Sequence, residues 1–251
     1  MTLNSTHTSD PSICPVSVER SATVLEQTLD QTYLRYDSML TEPFLDRFDP
    51  SYPPSKAQVV PSGGRAAAWF IQLSPFEAVL RHFRRGGLMR HLVRDRYIWT
   101  GLAHTRSFAE FDLLRQMWLA GLPVPRPLGA AVWREGLTYR AAMLTQRIPN
   151  AQPLALRHEP SVWHEAGRVI AQMHQFGVWH ADLNVFNLLV DAHDQVWIID
   201  LDRGRRAGLT DVQRAENLSR MLRSVRKVVP ERESSCWRSL KQGYQALAKQ
   251  G

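Results

Sequence analysis

Short β-rich runs fill the first part of this chain. They lie at residues 57–61, 66–73 and 76–83, and prolines and the Gly63-Gly64 pair separate the first two. Prolines prevent a long helix here, and glycine pairs favour turns. This part of the sequence therefore predicts three strands.

One helix and one hairpin are predicted next. Residues 104–120 have helical spacing, and Gly121 followed by "LPVPRP" is typical of a helix end. The stretch "LGAAVWREGLTYRAAMLTQRI" predicts a hairpin with Glu135 and Gly136 at its turn. The predicted helix carries an apolar face made of Phe108, Phe111, Leu114 and Trp118.

Helical spacing dominates the second part of the chain. Ser161 begins a predicted helix that runs through Phe176 and is closed by Gly177. Residues 211–226 and 232–249 predict two more amphipathic helices.

The change of pattern predicts an α+β protein with two lobes. The predicted divisions are an N-terminal segment, 1–40, a small β-rich lobe, 41–147, and a mainly helical lobe, 148–251. Within the first segment, residues 1–20 are polar and are expected to be poorly ordered, and 21–40 are expected to form a short helix.

Acids and amides are concentrated in "WHADLNVFNLLVDAHDQVWIIDLDRG", residues 179–204. The pattern is H-x-D-x-x-x-x-N at His180, Asp182 and Asn187, followed by an apolar run that ends at Asp200. Phosphoryl transfer from ATP needs oxygen ligands for a divalent metal ion and a carboxylate beside the attacking hydroxyl. This spacing supplies both, whereas residues 191–196 predict an ordinary hairpin turn.

The same stretch resembles the catalytic core of the protein-kinase-like superfamily. The resemblance implies a bilobal fold in which Asp182 is the catalytic base, His180 braces the loop, and Asn187 and Asp200 bind the metal. Asp202 is either a further metal ligand or the partner of an arginine. Protein kinases carry D-F-G and then A-P-E, whereas this chain has D-L-D-R-G and no A-P-E, which favours a small-molecule or lipid-sugar kinase.

The β-rich lobe offers candidate residues for ATP. Gly63, Gly64 and Arg65 stand where a phosphate-binding loop belongs, although a plain hairpin turn would use the same glycines. Arg81 occupies the position of the lysine that grips ATP, and Glu110 on the predicted helix is its natural partner. Residues 143–148 resemble the hinge that holds adenine.

Charge indicates an anionic partner. The chain has 31 Lys+Arg against 24 Asp+Glu, a net charge of +7. Six of its arginines lie between residues 81 and 96 with apolar residues among them, a pattern that suits a solvated face, nucleic acid or an anionic membrane surface. Two distant cysteines argue against a disulfide framework or a zinc site, and we expect neither a secretory signal nor a membrane-spanning segment.

Several stretches together resemble the 3-deoxy-D-manno-octulosonic acid (Kdo) kinases of Gram-negative bacteria. They lie between about residues 44 and 225 and include "LRHFRRGGLMRHL", "RSFAEFDLL", "GLPVPRP", "LTQRIPNAQPL", "HADLNVFNLLV" and "IIDLDRG". The resemblance implies transfer of the ATP γ-phosphate, with Mg²⁺, to the 4-hydroxyl of Kdo on Kdo-lipid IVA. It also implies a peripheral position on the cytoplasmic side of the inner membrane, and no nucleic-acid partner. Ala66 departs from the Gly-Arg-Gly expected in the phosphate loop.

Three alternatives remain open at this point. A kinase acting on lipopolysaccharide heptose or an aminoglycoside phosphotransferase would use the same scaffold, although a basic chain suits a cationic drug poorly. A non-catalytic pseudokinase is supported by Arg81 but opposed by Asp182, Asn187 and Asp200, because a protein without the reaction has no use for metal ligands.

Overall fold

A computed structural model describes residues 23–40, 45–60, 68–84 and 95–248. The expectations for residues 1–20, for the phosphate loop at Gly63, Gly64 and Arg65, and for most of the basic segment lie outside these ranges.

An antiparallel sheet of eight strands forms the first lobe, in the order β1-β2-β7-β8-β5-β4-β3 with β6 paired to β8. Its strands are β1 (Val24–Leu29), β2 (Thr32–Asp37), β3 (Gln58–Val59), β4 (Ala68–Leu73), β5 (Phe76–His82), β6 (Tyr97–Ile98), β7 (Pro127–Glu135) and β8 (Thr138–Gln146). The strands predicted at 76–83 and in the 128–148 hairpin are confirmed. The hairpin turn is one residue later than predicted, since Glu135 pairs with Thr138 and leaves Gly136 and Leu137 at the turn.

The helix predicted for residues 21–40 is wrong, because this segment forms the β1–β2 hairpin. Asp30 has a φ of +52° at the turn, a conformation that Asp tolerates better than most residues. The β2 strand pairs with β7, with Tyr33 opposite Val132, so its backbone groups are satisfied in the sheet. Pairing with β7, a distant part of the chain, decides the structure here over local preference.

Helix α1 (Arg106–Leu119) packs on one face of this sheet and confirms the helix predicted at 104–120. The Ser107 hydroxyl donates to the Ala131 carbonyl at 3.1 Å, which joins the start of the helix to β7. Gly121 has a φ of +83°, as a helix-ending glycine should. The buried face of α1 includes Phe108, Phe111, Leu113, Leu114 and Met117.

Three helices and two small sheets form the second lobe. The helices are α2 (Pro160–Gln175), α3 (Asp211–Val228) and α4 (Glu233–Ala248), close to the predicted bounds. The strands are β9 (Gln152–Pro153), β10 (Val178–Trp179), β11 (Leu188–Val190), β12 (Val196–Ile198) and β13 (Arg205–Arg206). Within the described ranges, every helix is too short or too polar to cross a bilayer.

Glycines let α2 and α4 touch through their backbones. A Cβ on Gly167 would lie 1.9 Å from the Leu240 carbonyl oxygen, and one on Gly243 would lie 1.8 Å from the His164 carbonyl oxygen. A continuous apolar core then runs from under the sheet, through α1, to these helices. Leu183, Val185 and Leu188 belong to this core, which therefore fixes the stretch of residues 179–204 against both lobes.

Candidate active site

A buried histidine braces the loop that carries the acids and amides. His180 is 0% exposed and follows β10 directly. Its Nδ1 accepts from the Asp182 backbone N–H at 3.1 Å, and its Nε2 donates to the Ile199 carbonyl at 3.1 Å. Because one partner is a donor and the other an acceptor, the ring is the neutral Nε2–H tautomer. Burial lowers the pKa of His180, which keeps it neutral.

The backbone of Asp182 is held by the loop, whereas its carboxylate is exposed. The side-chain amides of Asn184 and Asn187 both donate to the Asp182 carbonyl at 2.9 Å. The carboxylate itself is 70% exposed, and Arg220 Nη1 lies 4.0 Å from its Oδ1. A carboxylate displayed on a fixed backbone is suited to accept a proton from a docked hydroxyl.

Asn187 and Asp200 lie at the same end of the β11–β12 hairpin. The hairpin pairs Leu188 with Ile198, and the Ile199 N–H donates to the Asn187 carbonyl at 3.0 Å. Asp200 follows with a φ of +58°, in the left-handed region. The fold thus brings together the three predicted residues, Asp182, Asn187 and Asp200, although their chemical roles stay predictions.

The predicted pair of Arg81 and Glu110 is confirmed. Arg81 Nη2 lies 2.5 Å from Glu110 Oε2, and Arg81 Nη1 lies 3.0 Å from Asp200 Oδ1. The Glu110 side chain is 4% exposed, and this burial raises the pKa of its carboxyl against the attraction of Arg81. One guanidinium on β5 therefore joins α1 to the predicted metal ligand Asp200.

Asp202 is engaged by an arginine, one of the two predicted alternatives. Arg106, the first residue of α1, donates from Nε to Asp202 Oδ1 at 2.7 Å and contacts Oδ2 through Nη2. Arg106 also donates from Nη1 to the Tyr97 hydroxyl at 2.7 Å. A ligand role for Asp202 remains a prediction.

Sequence reasoning missed Arg106, although the sequence carried a signal for it. A cation in the first turn of a helix opposes the helix dipole unless it has a partner.

Sequence reasoning also missed Asn217, which is fully buried in α3. It donates from Nδ2 to the His180 carbonyl at 2.9 Å and accepts from the His180 N–H at 3.1 Å. The signal was its spacing, since Asn217, Met221 and Val225 share one buried stripe of the helix. A polar residue in an apolar stripe indicates a buried polar partner.

The oxygen atoms present fit a magnesium ion. Among the described residues, Asn187 Oδ1 and Asp200 Oδ2 make no hydrogen bond, and both belong to side chains at one hairpin end. Magnesium binds through one or two carboxylates, phosphate oxygens and water. The described residues contain no cluster of three His, Cys, Asp or Glu side chains able to hold a metal by themselves, so nucleotide phosphates and water would complete this set.

Comparisons with known proteins show a family to which the sequence is similar. The sequence model of the lipopolysaccharide kinase (Kdo/WaaP) family matches residues 53–244. A 3-deoxy-D-manno-octulosonic acid kinase of Stenotrophomonas maltophilia (strain R551-3) is 48% identical over 192 residues, which cover 74% of this chain and 77% of that protein. A kinase of the same name from Vibrio vulnificus (strain CMCP6) is 45% identical over 210 residues, which cover 80% and 88%.

Among solved structures, spectinomycin phosphotransferase in complex with ADP and spectinomycin aligns with a TM-score of 0.48 at 11% identity. The alignment covers 75% of this chain and 74% of that chain.

Proposed function

This chain belongs to the lipopolysaccharide kinase (Kdo/WaaP) family, and on that premise we propose that it transfers the γ-phosphoryl group of ATP to the 4-hydroxyl of Kdo on Kdo-lipid IVA. The observation that carries the proposal is the loop of residues 180–187, which displays Asp182 beside the hairpin end that bears Asn187 and Asp200. Two relatives named for the Kdo reaction share close to half of the aligned residues.

In the proposed reaction, Asp182 orients the acceptor hydroxyl and accepts its proton as the oxygen attacks the γ-phosphorus. The bond from that phosphorus to the bridging oxygen of ADP breaks, and ADP leaves with the electron pair. Arg81 lies on β5, is held in place by Glu110, and binds phosphate oxygens of ATP. Asn187 and Asp200 would hold Mg²⁺, which neutralises negative charge on the phosphates when bound.

Acceptor specificity tests this proposal. The purified protein is incubated with ATP, Mg²⁺ and one of three acceptors: Kdo-lipid IVA, a heptosylated lipopolysaccharide core with its Kdo 4-position blocked, or an aminoglycoside. Mass spectrometry and fragmentation then locate any phosphate. We expect phosphorylation of Kdo-lipid IVA at the Kdo 4-hydroxyl. Phosphorylation of heptose or of the aminoglycoside alone would contradict the proposal.

We also propose that the protein attaches peripherally to the anionic cytoplasmic face of the inner membrane. The net charge of +7 supports this, and each arginine near an anionic leaflet contributes about 1 kcal/mol. Exposed apolar residues at one end of the sheet add to it: Leu137 is 84% exposed and Ile98, paired with Thr138, is 69% exposed.

Vesicle sedimentation at rising salt tests the attachment. We expect binding to vesicles that contain phosphatidylglycerol, loss of that binding at high ionic strength, and no binding to neutral vesicles. Binding that ignores salt and lipid charge would contradict an electrostatic attachment.

A further inference from the structure

A chain of hydrogen-bonded polar side chains connects three helices to the loop that carries Asp182. It starts at Tyr244 of α4, whose hydroxyl lies 2.9 Å from His174 Nδ1 on α2. His174 Nε2 lies 3.2 Å from Asn217 Oδ1 on α3. Asn217 then makes the two bonds to the backbone of His180. His174 is 1% exposed and Asn217 is 0% exposed, so water has little access to the bonds between these two residues and His180, whereas Tyr244 is half-buried.

Donors and acceptors fix the direction of every bond. The His180 carbonyl can only accept, so Asn217 Nδ2 faces it and Asn217 Oδ1 faces the His180 N–H. The same Oδ1 accepts from His174 Nε2–H, which leaves His174 Nδ1 to accept the Tyr244 hydroxyl proton. His174 is therefore neutral, with its proton on Nε2. The chain has one arrangement, and a change at any member leaves a buried group unpaired.

The contacts of His180 carry this arrangement to the catalytic carboxylate. Asn217 binds the backbone of His180. The His180 ring in turn accepts a hydrogen bond from the backbone N–H of Asp182, two residues later in the chain. A second bond from α3 supports the loop, since the Ser224 hydroxyl accepts the Val185 N–H at 3.2 Å. Misplacing a reacting group by about 1 Å can cost on the order of 100-fold in rate.

We propose that Asn217 and His174 are positioning residues for phosphoryl transfer, which fix the backbone of His180 and thereby the place of Asp182. Tyr244 extends the same chain to α4. The inference rests on the kinase reaction itself and not on which hydroxyl receives the phosphate.

A comparison of kcat with KM separates positioning from a loss of structure. Asn217→Leu fills a similar volume but leaves the His180 N–H and carbonyl unpaired. We expect it to lower kcat by about 100-fold while KM for ATP changes less than about threefold. The matched control is Val225→Ala on the same buried stripe of α3, which opens a small cavity but removes no hydrogen bond to the loop. It should lower Tm to a similar extent and leave kcat within about twofold of the wild type.

Conservative variants give a second, independent readout. Asn217→Asp keeps the acceptor for the His180 N–H and, when protonated, an O–H donor for the His180 carbonyl. Its kcat relative to the wild type should rise as the pH is lowered, whereas that of Asn217→Leu should not. Tyr244→Phe removes the donor to His174 Nδ1 and also the hydroxyl that bonds Arg214, and it should lower kcat by about three- to tenfold.

Two results would overturn the inference: a kcat for Asn217→Leu equal to that of Val225→Ala, or no recovery of Asn217→Asp at any pH. Should Asn217→Leu fail to fold, Asn217→Ser takes its place in the same comparison. A wild-type protein inactive on Kdo-lipid IVA would contradict the proposed function instead, and the same variants would then be compared by acceptor-free ATP hydrolysis.

Discussion

Replacing Arg81 with methionine removes the cation that faces Glu110. The Glu110 side chain is 4% exposed and has little access to water, so its charge is left buried without a partner. Breaking a buried ion pair in this way costs about 3–5 kcal/mol. Because the Arg81 side chain is 21% exposed, some water can enter, and we take the lower limit of about 3 kcal/mol. For a protein of this size that loss lowers Tm by roughly 6–12 °C.

Thermal unfolding followed by circular dichroism at neutral pH measures the effect. The matched control is Arg84→Met, the same substitution at an exposed arginine two residues beyond the end of β5, which should change stability by less than about 0.5 kcal/mol. Arg81→Met/Glu110→Leu replaces both charges with apolar groups and should regain most of the lost stability, since such replacements are often neutral.

Activity separates the two roles of the arginine. The double variant should be stable yet bind ATP weakly, because it lacks the guanidinium that we propose binds the phosphates. Unfolding of Arg81→Met at the same temperature as Arg84→Met, or a double variant less stable than the single one, would contradict a stabilising ion pair between Arg81 and Glu110.

Three further predictions concern stability. Gly167→Ala should destabilise the protein by about 1–3 kcal/mol in urea unfolding, because its methyl group would meet the Leu240 carbonyl, whereas Gly208→Ala, with open space around it, should be neutral. Burial lowers the pKa of His174 to about 4, below its unfolded value of about 6.5. The neutral ring therefore contributes its full share to the free energy of unfolding above pH ~6.5, and up to roughly 3 kcal/mol of that share is lost as the pH falls towards 4. His174→Gln should flatten the stability curve in that window, and an unchanged slope would contradict the assignment. Thr210→Ala removes the capping box of α3 and should cost about 1 kcal/mol in thermal unfolding, against no loss for Thr210→Ser.

Local patterns predicted the regular elements well. The helices beginning near Ser161 and at 211 and 232 have apolar stripes and end signals of their own, so their sequences suffice. The β1–β2 hairpin was missed because its strands depend on β7, about 95 residues further along the chain. The periodicity of a short segment cannot show such a partner.

The candidate site shows the same difference between local patterns, which the sequence reveals, and contacts between distant residues, which it does not. The spacing of Asp182, Asn187 and Asp200 was visible in the sequence because one loop and one hairpin carry all three. The contacts of Arg106 and Asn217 were not visible, since each acts on a residue far away in the chain: Arg106 on Asp202 and Asn217 on His180. Their sequence signals were a positive charge in the first turn of a helix and a polar residue in an apolar stripe. Such signals indicate that a partner exists but do not identify it.

Asp182→Asn tests the central claim most directly, because it removes the proposed proton acceptor and keeps the shape of the side chain. Single-turnover transfer from γ-labelled ATP to Kdo-lipid IVA is measured beside the wild type, with ATP binding and Tm determined on the same samples. We predict a rate lower by roughly 10²–10⁴-fold with ATP binding and Tm unchanged. Near-normal transfer by Asp182→Asn would show that another group accepts the proton and would contradict the account.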